Sequence, residues 1–395
     1  MDMGCMEAYL STVNRMSIAT ANTYRLRLNA LNDFVLKEYK QNMDSIVGKI
    51  KNHKIEPYMF LNKYVDYLKY YHSLSPKTLS QQVITAKNML EWHDVDISPI
   101  KFKLKVKLPR VIKRNKEALS KDDIVNILNA CSKIRLKTYV LLLAATGMRA
   151  VEALSVRLRD FDTKSRKILL MGESTKTRVE RTVFLTEEVT KQIESWLQYK
   201  YRTRRVCHYD KTKQKTICEM RTPSKNDNDL IFAVHQTKPD PKIIYVHLLT
   251  DFDNTLDRIG MGVREEYVTN PKSIHRNMGR RRITLHSFRR FVKSTISDLG
   301  YSDFSEYFIG HSGSTYYTKT DKQIVDMFKK IESHLTFLDY PSLERKGADV
   351  EAKVENLEQE NQRLRHSDQL KEDALATLSD QVMKLMVEVQ ELKQR

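Results

Sequence analysis

At 395 residues the chain is long enough for two globular domains plus an appendage, and 41% hydrophobic residues separate it from disordered polyelectrolytes. No apolar run reaches the roughly eighteen residues that a bilayer requires, and MDMGCMEAYLST lacks the basic-then-apolar pattern of a secretory signal, so membrane and secreted classes are set aside. The net charge of +18 is uneven: residues 348–395 carry seven Lys/Arg against eleven Asp/Glu, leaving +22 on residues 1–347, which points to a polyanionic partner for the body and another task for the tail.

Residues 1–100 read as short amphipathic helices. In ATANTYRLRLNALNDFVLKEY the residues Tyr24, Leu28, Leu31, Phe34 and Val35 recur at three- and four-residue spacing, with Arg25, Arg27 and Lys37 elsewhere. Ser75-Pro76 breaks the chain and opens a second helix over KTLSQQVITAKNMLEWH, as expected of a proline near a helix start. Residues 101–116, KFKLKVKLPRVIKRNK, contain Lys101, Lys103, Lys105, Lys107, Arg110, Lys113, Arg114 and Lys116 and no acid. We read this run as an extended interdomain strap in which each cation adds sequence-independent, salt-dependent attraction to phosphates.

A second domain, residues 117–345, opens at Ser120, which can cap the helix DDIVNILNACSKI with Asp123 in its first turn. The apolar helix LKTYVLLLAATG follows, with Arg149 just past its glycine. Two strand-like pieces, RKILLMG and RVERTVFLT, flank Glu173–Thr177, and a polar helix, EEVTKQIESWLQYKY, succeeds them. Residues 199–245 are basic, turn-rich and weakly patterned, which predicts an insertion or mobile connection. The four cysteines, Cys5, Cys131, Cys207 and Cys218, are scattered and fit a reducing cytoplasmic compartment better than a disulfide framework.

The tail, residues 346–395, carries a heptad pattern. Val350, Leu357, Leu364, Lys371, Leu378, Leu385 and Leu392 fall at d, and Val354, Asn361, Asp368, Leu375, Val382 and Val389 at a, without a phase slip. β-branched a residues with leucine at d favour two strands, and Asn361 is a register-setting device. The expectation is a self-associating coiled coil; the alternative is one helix packed back on its own body.

Short motifs in fixed order carry the chemistry: Arg149 in TGMRAVEAL, Lys176 in ESTKTRVERTVFL, His286 and Arg289 in TLHSFRR, and His311 followed by Tyr316 and Tyr317 in IGHSGSTYY. Two arginines, a lysine and two histidines beside a phenol suit a phosphodiester, because cations neutralise phosphorane charge while an aryloxide attacks phosphorus. A guanidinium fork holds two non-bridging oxygens at once. His286 and Arg289, at i and i+3, share one helical face, which selects Arg289 over the adjacent Arg290. Cys207-His208 with Cys218 lacks a second ligand pair, so no metal is read, and without G-x-x-x-x-G-K-[ST] no nucleotide hydrolysis is indicated.

The order and spacing of these motifs resemble the tyrosine recombinase (phage-type integrase) family over roughly residues 117–330, and T-x-x-x-Y-x-x-x-L near the start looks like its core-binding domain. The resemblance implies a mainly α fold with a small β-sheet (α+β): a helical core-binding domain at 1–100, the basic linker, a catalytic domain and the coiled-coil tail. It implies that Arg149 and Arg289 clamp the scissile phosphate, that Glu152 supports Arg149, and that Lys176 protonates the leaving 5′-oxygen. His286 would donate to the phosphate or move a proton, and His311 would hydrogen-bond it. The short G-H-S-G-S-T-Y form looks like archaeal mobile-element integrases and favours Tyr316 as nucleophile, with Tyr317 the alternative. The implied partners are duplex DNA attachment sites and further copies of the chain in a tetrameric synapse, with no cofactor. A type IB-like topoisomerase and an inactive DNA-binding regulator are the competing readings.

Overall fold

Proline and small polar residues punctuate the chain much as the sequence dictates. The computed structural model describes residues 4–72, 74–111, 118–175, 178–210, 214–234, 239–264, 281–311, 319–338, 360–362 and 364. It divides into two units, Met1–Lys116 with Arg264–Arg280 and Glu117–Val263 with Arg281–Arg395. Both are dominated by helices, with two small antiparallel sheets in the second. Among the described residues no helix is long and apolar enough to cross a membrane.

The first unit is built from α1 (Cys5–Met16), α2 (Ile18–Tyr39), α3 (Met43–Lys51), α4 (Pro57–Tyr71), α5 (Pro76–Trp92) and α6 (Pro99–Lys105). α2 buries Leu28, Leu31, Phe34 and Val35, and Tyr24 stacks on Tyr9 at 6.2 Å. Pro76 sits in the first turn of α5, where Ser75 Oγ accepts from the Thr78 amide at 3.3 Å. The basic run differs from expectation: residues 99–105 are helical rather than an extended strap. Ser98-Pro99 is a helix start, and Tyr58, Glu56 and Asn62 of the α4 region hold α6 down. Tyr58 Oη accepts from the Ser98 amide at 3.0 Å, and Asn62 Nδ2 donates to the Lys105 carbonyl at 2.8 Å. Val106 is buried and Phe102 half-buried, while Lys101, Lys103, Lys105, Lys107 and Arg110 are exposed; Lys113 and Arg114 lie outside the described residues. The apolar Phe102/Val106 pair at i,i+4, packed toward the unit's core, fits the helix.

In the second unit Ser120 and Asp123 form the expected capping box at α7 (Lys121–Ala130), with bonds of 3.0 and 2.9 Å. α8 (Ile134–Thr146) is buried on every side from Thr138 onward, so it is the axis of the core. Gly147 ends it in the left-handed conformation (φ 61°), and a Cβ there would stand 3.1 Å from Val292 and Ile309. A short helix α9 (Ala150–Leu154) leads to the sheet β1 (Phe161–Asp162), β2 (Lys167–Leu170), β3 (Arg181–Phe184), in that order and antiparallel throughout. Ile168 and Leu170 turn inward and pair with Val183 and Arg181. α10 (Glu187–Lys200) follows.

The weakly patterned stretch after α10 holds a two-stranded ribbon, β4 (Arg204–Asp210) with β5 (Lys215–Arg221). Its pairing sets Cys207 directly opposite Cys218, and the two form a disulfide. The expectation of four separate thiols fails at this pair. Its exposed face offers little hydrophobic alternation, with Cys207, Cys218 and Met220 all exposed, so the period-two signal is faint. Cys5 and Cys131 remain buried thiols, pushed by burial up to about 12 and about 11 and hence poorly nucleophilic. The unit closes with α11 (Pro241–Arg258), α12 (Leu285–Asp298), α13 (Ser302–Ile309) and α14 (Asp321–Ile331). Of the tail, residues 360–362 and 364 are helical, and the heptad seam otherwise lies outside the described residues.

Candidate active site

Two helix ends and one strand converge on a buried carboxylate. Arg149 is the N-cap of α9, placed there because Gly147 turns the chain sharply out of α8. Glu152, one turn along α9, is 2% exposed and faces back toward Arg149. Arg149 Nη1 donates to Glu152 Oε1 at 2.6 Å and its Nη2 to the Gly310 carbonyl at 3.3 Å. Arg181, the first residue of β3, donates through Nη2 to Glu152 Oε2 at 3.0 Å and through Nη1 to the Ile309 carbonyl at 2.7 Å. Arg289, on the second turn of α12, donates through Nη1 to the Gly147 carbonyl at 2.8 Å, while its buried Nη2 has no hydrogen-bond partner among the described residues.

Two guanidinium groups thus share one buried carboxylate and a third lies close by, so arginines outnumber buried carboxylates in this desolvated pocket. Burial first, and then the neighbouring Arg149 and Arg181, push Arg289 down to about 10, still charged at neutral pH. Burial likewise holds Arg181 below the usual guanidinium range, against the attraction of Glu152. A pocket in which cations outnumber carboxylates suits an anion, and a phosphodiester has the charge and the paired oxygens to match it.

α13 ends at Gly310, left-handed at φ 70°, and His311 follows at once. Glu306 accepts from the ring at His311 Nδ1 and also pairs with Lys293 of α12. Its carboxyl is held below the ordinary carboxylate range, first by Lys293 and then by His311. The carboxylate therefore orients the imidazole, a common way to fix which ring nitrogen faces outward.

The structure brings Arg149, Glu152, Arg289 and His311 to this one region through the turns at Gly147 and Gly310. His286 lies exposed in the first turn of α12, three residues before Arg289. Arg290, the rejected neighbour, is half-buried and donates to Ser287 Oγ at 2.9 Å instead of entering the cluster. Lys176, Tyr316 and Tyr317 lie outside the described residues. Arg181, Glu306 and Lys293 were not singled out by sequence reasoning. Arg181 sat among several cations near Lys176, and only the strand alternation, which points it inward with Val183, separates it from them.

The fold agrees with that of related proteins. A model of the phage integrase family matches residues 117–315, just over half of the chain. The chain belongs to that family, the tyrosine recombinases. Among curated proteins, the tyrosine recombinase XerA of Saccharolobus solfataricus is 31% identical over 123 residues, which is 31% of this chain and 39% of XerA, so the match spans well under half of that relative. Among solved structures, the Tn1549 transposon integrase (residues 82–397) in complex with transposon right end DNA is similar with a TM-score of 0.53 at 15% identity, over 84% of this chain and 99% of that one. The same integrase in complex with a circular intermediate DNA gives 0.52 at 15%, over 83% and 100%. These likenesses establish an integrase fold.

Proposed function

We propose that this integrase-family chain is a site-specific DNA recombinase that cuts and rejoins duplex DNA through a 3′-phosphotyrosyl intermediate. The observation that carries the reading is the cation excess: three guanidinium groups around one buried carboxylate, next to a carboxylate-oriented histidine. Arg149 and Arg289 take the non-bridging oxygens of the scissile phosphate and stabilise the phosphorane. Tyr316, or alternatively Tyr317, attacks phosphorus and gives up its phenolic proton to His286, and the bond to the 5′-oxygen breaks as Lys176 supplies the proton to that oxygen. His311 donates to the phosphate, as His286 does when it carries the proton. The phosphotyrosyl ester retains the energy of the broken bond, so a 5′-hydroxyl from a second duplex can displace the tyrosine without nucleotide hydrolysis.

Incubation of the protein in EDTA with nicked duplexes, whose cut strand diffuses away, tests this directly. The expected product is a covalent adduct that maps by peptide sequencing to Tyr316 or Tyr317. An adduct on any other residue, or cleavage that depends strictly on added Mg²⁺, would overturn the assignment.

The exposed cations Lys101, Lys103, Lys105, Lys107 and Arg110 belong in this reading to the DNA-backbone contacts, together with Lys113 and Arg114. The tail is assigned to self-association, which raises the local concentration of protomers during synapsis. Truncation after Gly347 is then expected to spare attack on a single nicked site while weakening the joining of two sites. Unchanged two-site recombination, with residues 348–395 sedimenting as a monomer, sinks the tail's role.

A further inference from the structure

The hydrogen bonds around Glu152 close on themselves. One carboxylate oxygen takes Arg149 and the other takes Arg181. Those two arginines reach across to consecutive carbonyls, Arg181 to Ile309 and Arg149 to Gly310. The result is a ring through α9, β3 and the end of α13, elements far apart in sequence. We propose that Arg181 is a positioning residue that closes this ring, setting the Arg149 guanidinium and the turn that presents His311 in one fixed relation. The proposal rests on reading the pocket as a phosphodiester-cleaving site.

Arg181 is built to act through its neighbours rather than on a ligand. Arg149 bonds through both terminal nitrogens but is 25% exposed, and Arg289 is more deeply buried but keeps one terminal nitrogen without a partner among the described residues. Arg181 is 10% exposed with both terminal nitrogens bonded. Its remaining nitrogen, Nε, is buried. Its backbone is pinned by pairing with Leu170 on β2, so the guanidinium reaches out from a fixed base. Glycine at 310 completes the fit: a Cβ built there would run into the Arg181 guanidinium. Removing Arg181 leaves Glu152 with one partner and lets the carboxylate, Arg149 and the 309–311 turn relax independently. Displacement of a catalytic group by about an ångström can cost on the order of a hundredfold in rate.

Arg181→Lys tests this without deleting the charge, since one ammonium cannot span Glu152 and the Ile309 carbonyl as the fork does. Gly310→Ala enters the same contact from the turn side. The probe is a pool of nicked duplexes randomised around the nick, from which covalently captured members are recovered and resynthesised. Single-turnover attack within saturated complexes is expected to fall about a hundredfold in each variant, with duplex affinity within a few fold of wild type. Combining Arg181→Lys with Arg149→Ala should cost clearly less than the product of the two single losses, because both act on one guanidinium. On a substrate whose scissile phosphate is a neutral methylphosphonate, Arg149 has no charge to hold, and Arg181→Lys should approach the wild-type rate. A merely structural lysine defect would persist on the neutral substrate. That persistence, multiplying losses in the double variant, or wild-type rates in both single variants would overturn the proposal. If the wild-type protein itself captures no member of the pool, the recombinase reading fails first.

Discussion

Arg149→Ala and Arg289→Ala are each expected to slow covalent attack on a nicked duplex by about a hundredfold or more, the loss of phosphorane stabilisation on the order of 3–4 kcal/mol. Duplex affinity should change little, because many other cations on a chain of net charge +18 hold the DNA. Stability separates Arg289 from an ordinary core residue. Its guanidinium is 3% exposed, and its pKa is pushed down to about 10, below that of the unfolded chain, by burial, Arg149 and Arg181. A cation with a depressed pKa costs the fold stability wherever it is charged, so the penalty is present at neutral pH and is relieved only as pH rises through that value. Truncation removes the penalty while opening a cavity, and these oppose each other. Arg289→Ala should therefore melt within a few degrees of wild type while losing activity. Near-wild-type cleavage, or a matching loss of DNA binding, would remove that arginine from the clamp.

Glu152→Ala should behave in the opposite way. The carboxylate is 2% exposed and compensates two guanidinium groups at 2.6 and 3.0 Å, with a third cation nearby. Breaking a buried pair by removing one partner costs about 3–5 kcal/mol, since the remaining charge stays behind without its counterion. For a unit of this size that is roughly a 10 °C fall in melting temperature. Inorganic sulfate or phosphate should raise the melting temperature of Glu152→Ala by more than the general salt effect seen in a variant with a packing defect elsewhere, because the anion occupies the cationic pocket. Glu152→Gln keeps the hydrogen-bond acceptor and should fall between. A melting temperature for Glu152→Ala equal to that of the wild type would mean the cluster is solvated and the ring of bonds is not formed.

Much of this was legible because the local chemistry is strong. Ser120 with Asp123, Ser75-Pro76 and Gly147 mark helix ends through bonds that need only neighbours in sequence. The spacing of His286 and Arg289 singles out the arginine that the structure buries, while Arg290 donates to Ser287. Elements whose signal lies in tertiary contact were missed. α6 was hidden by its lysines, and its helix depends on Tyr58 and Asn62, some forty residues away. The β4–β5 ribbon has no glycine in its sequence and no buried stripe among the described residues, and its cysteines look scattered until the strands pair. Arg181 is the sharpest case, because its partners Glu152 and Ile309 are 29 and 128 residues distant. No spacing rule links them.

The acceptors that aim the three arginines include the carbonyls of Gly147, Ile309 and Gly310. Main-chain oxygens are present whatever side chain a position carries, so point substitution can change their placement but cannot delete them. The pocket thus depends for its alignment on two glycine-shaped bends, on Glu152 and on the arginines that join them, and its vulnerability is concentrated at the few positions where a bend would have to straighten.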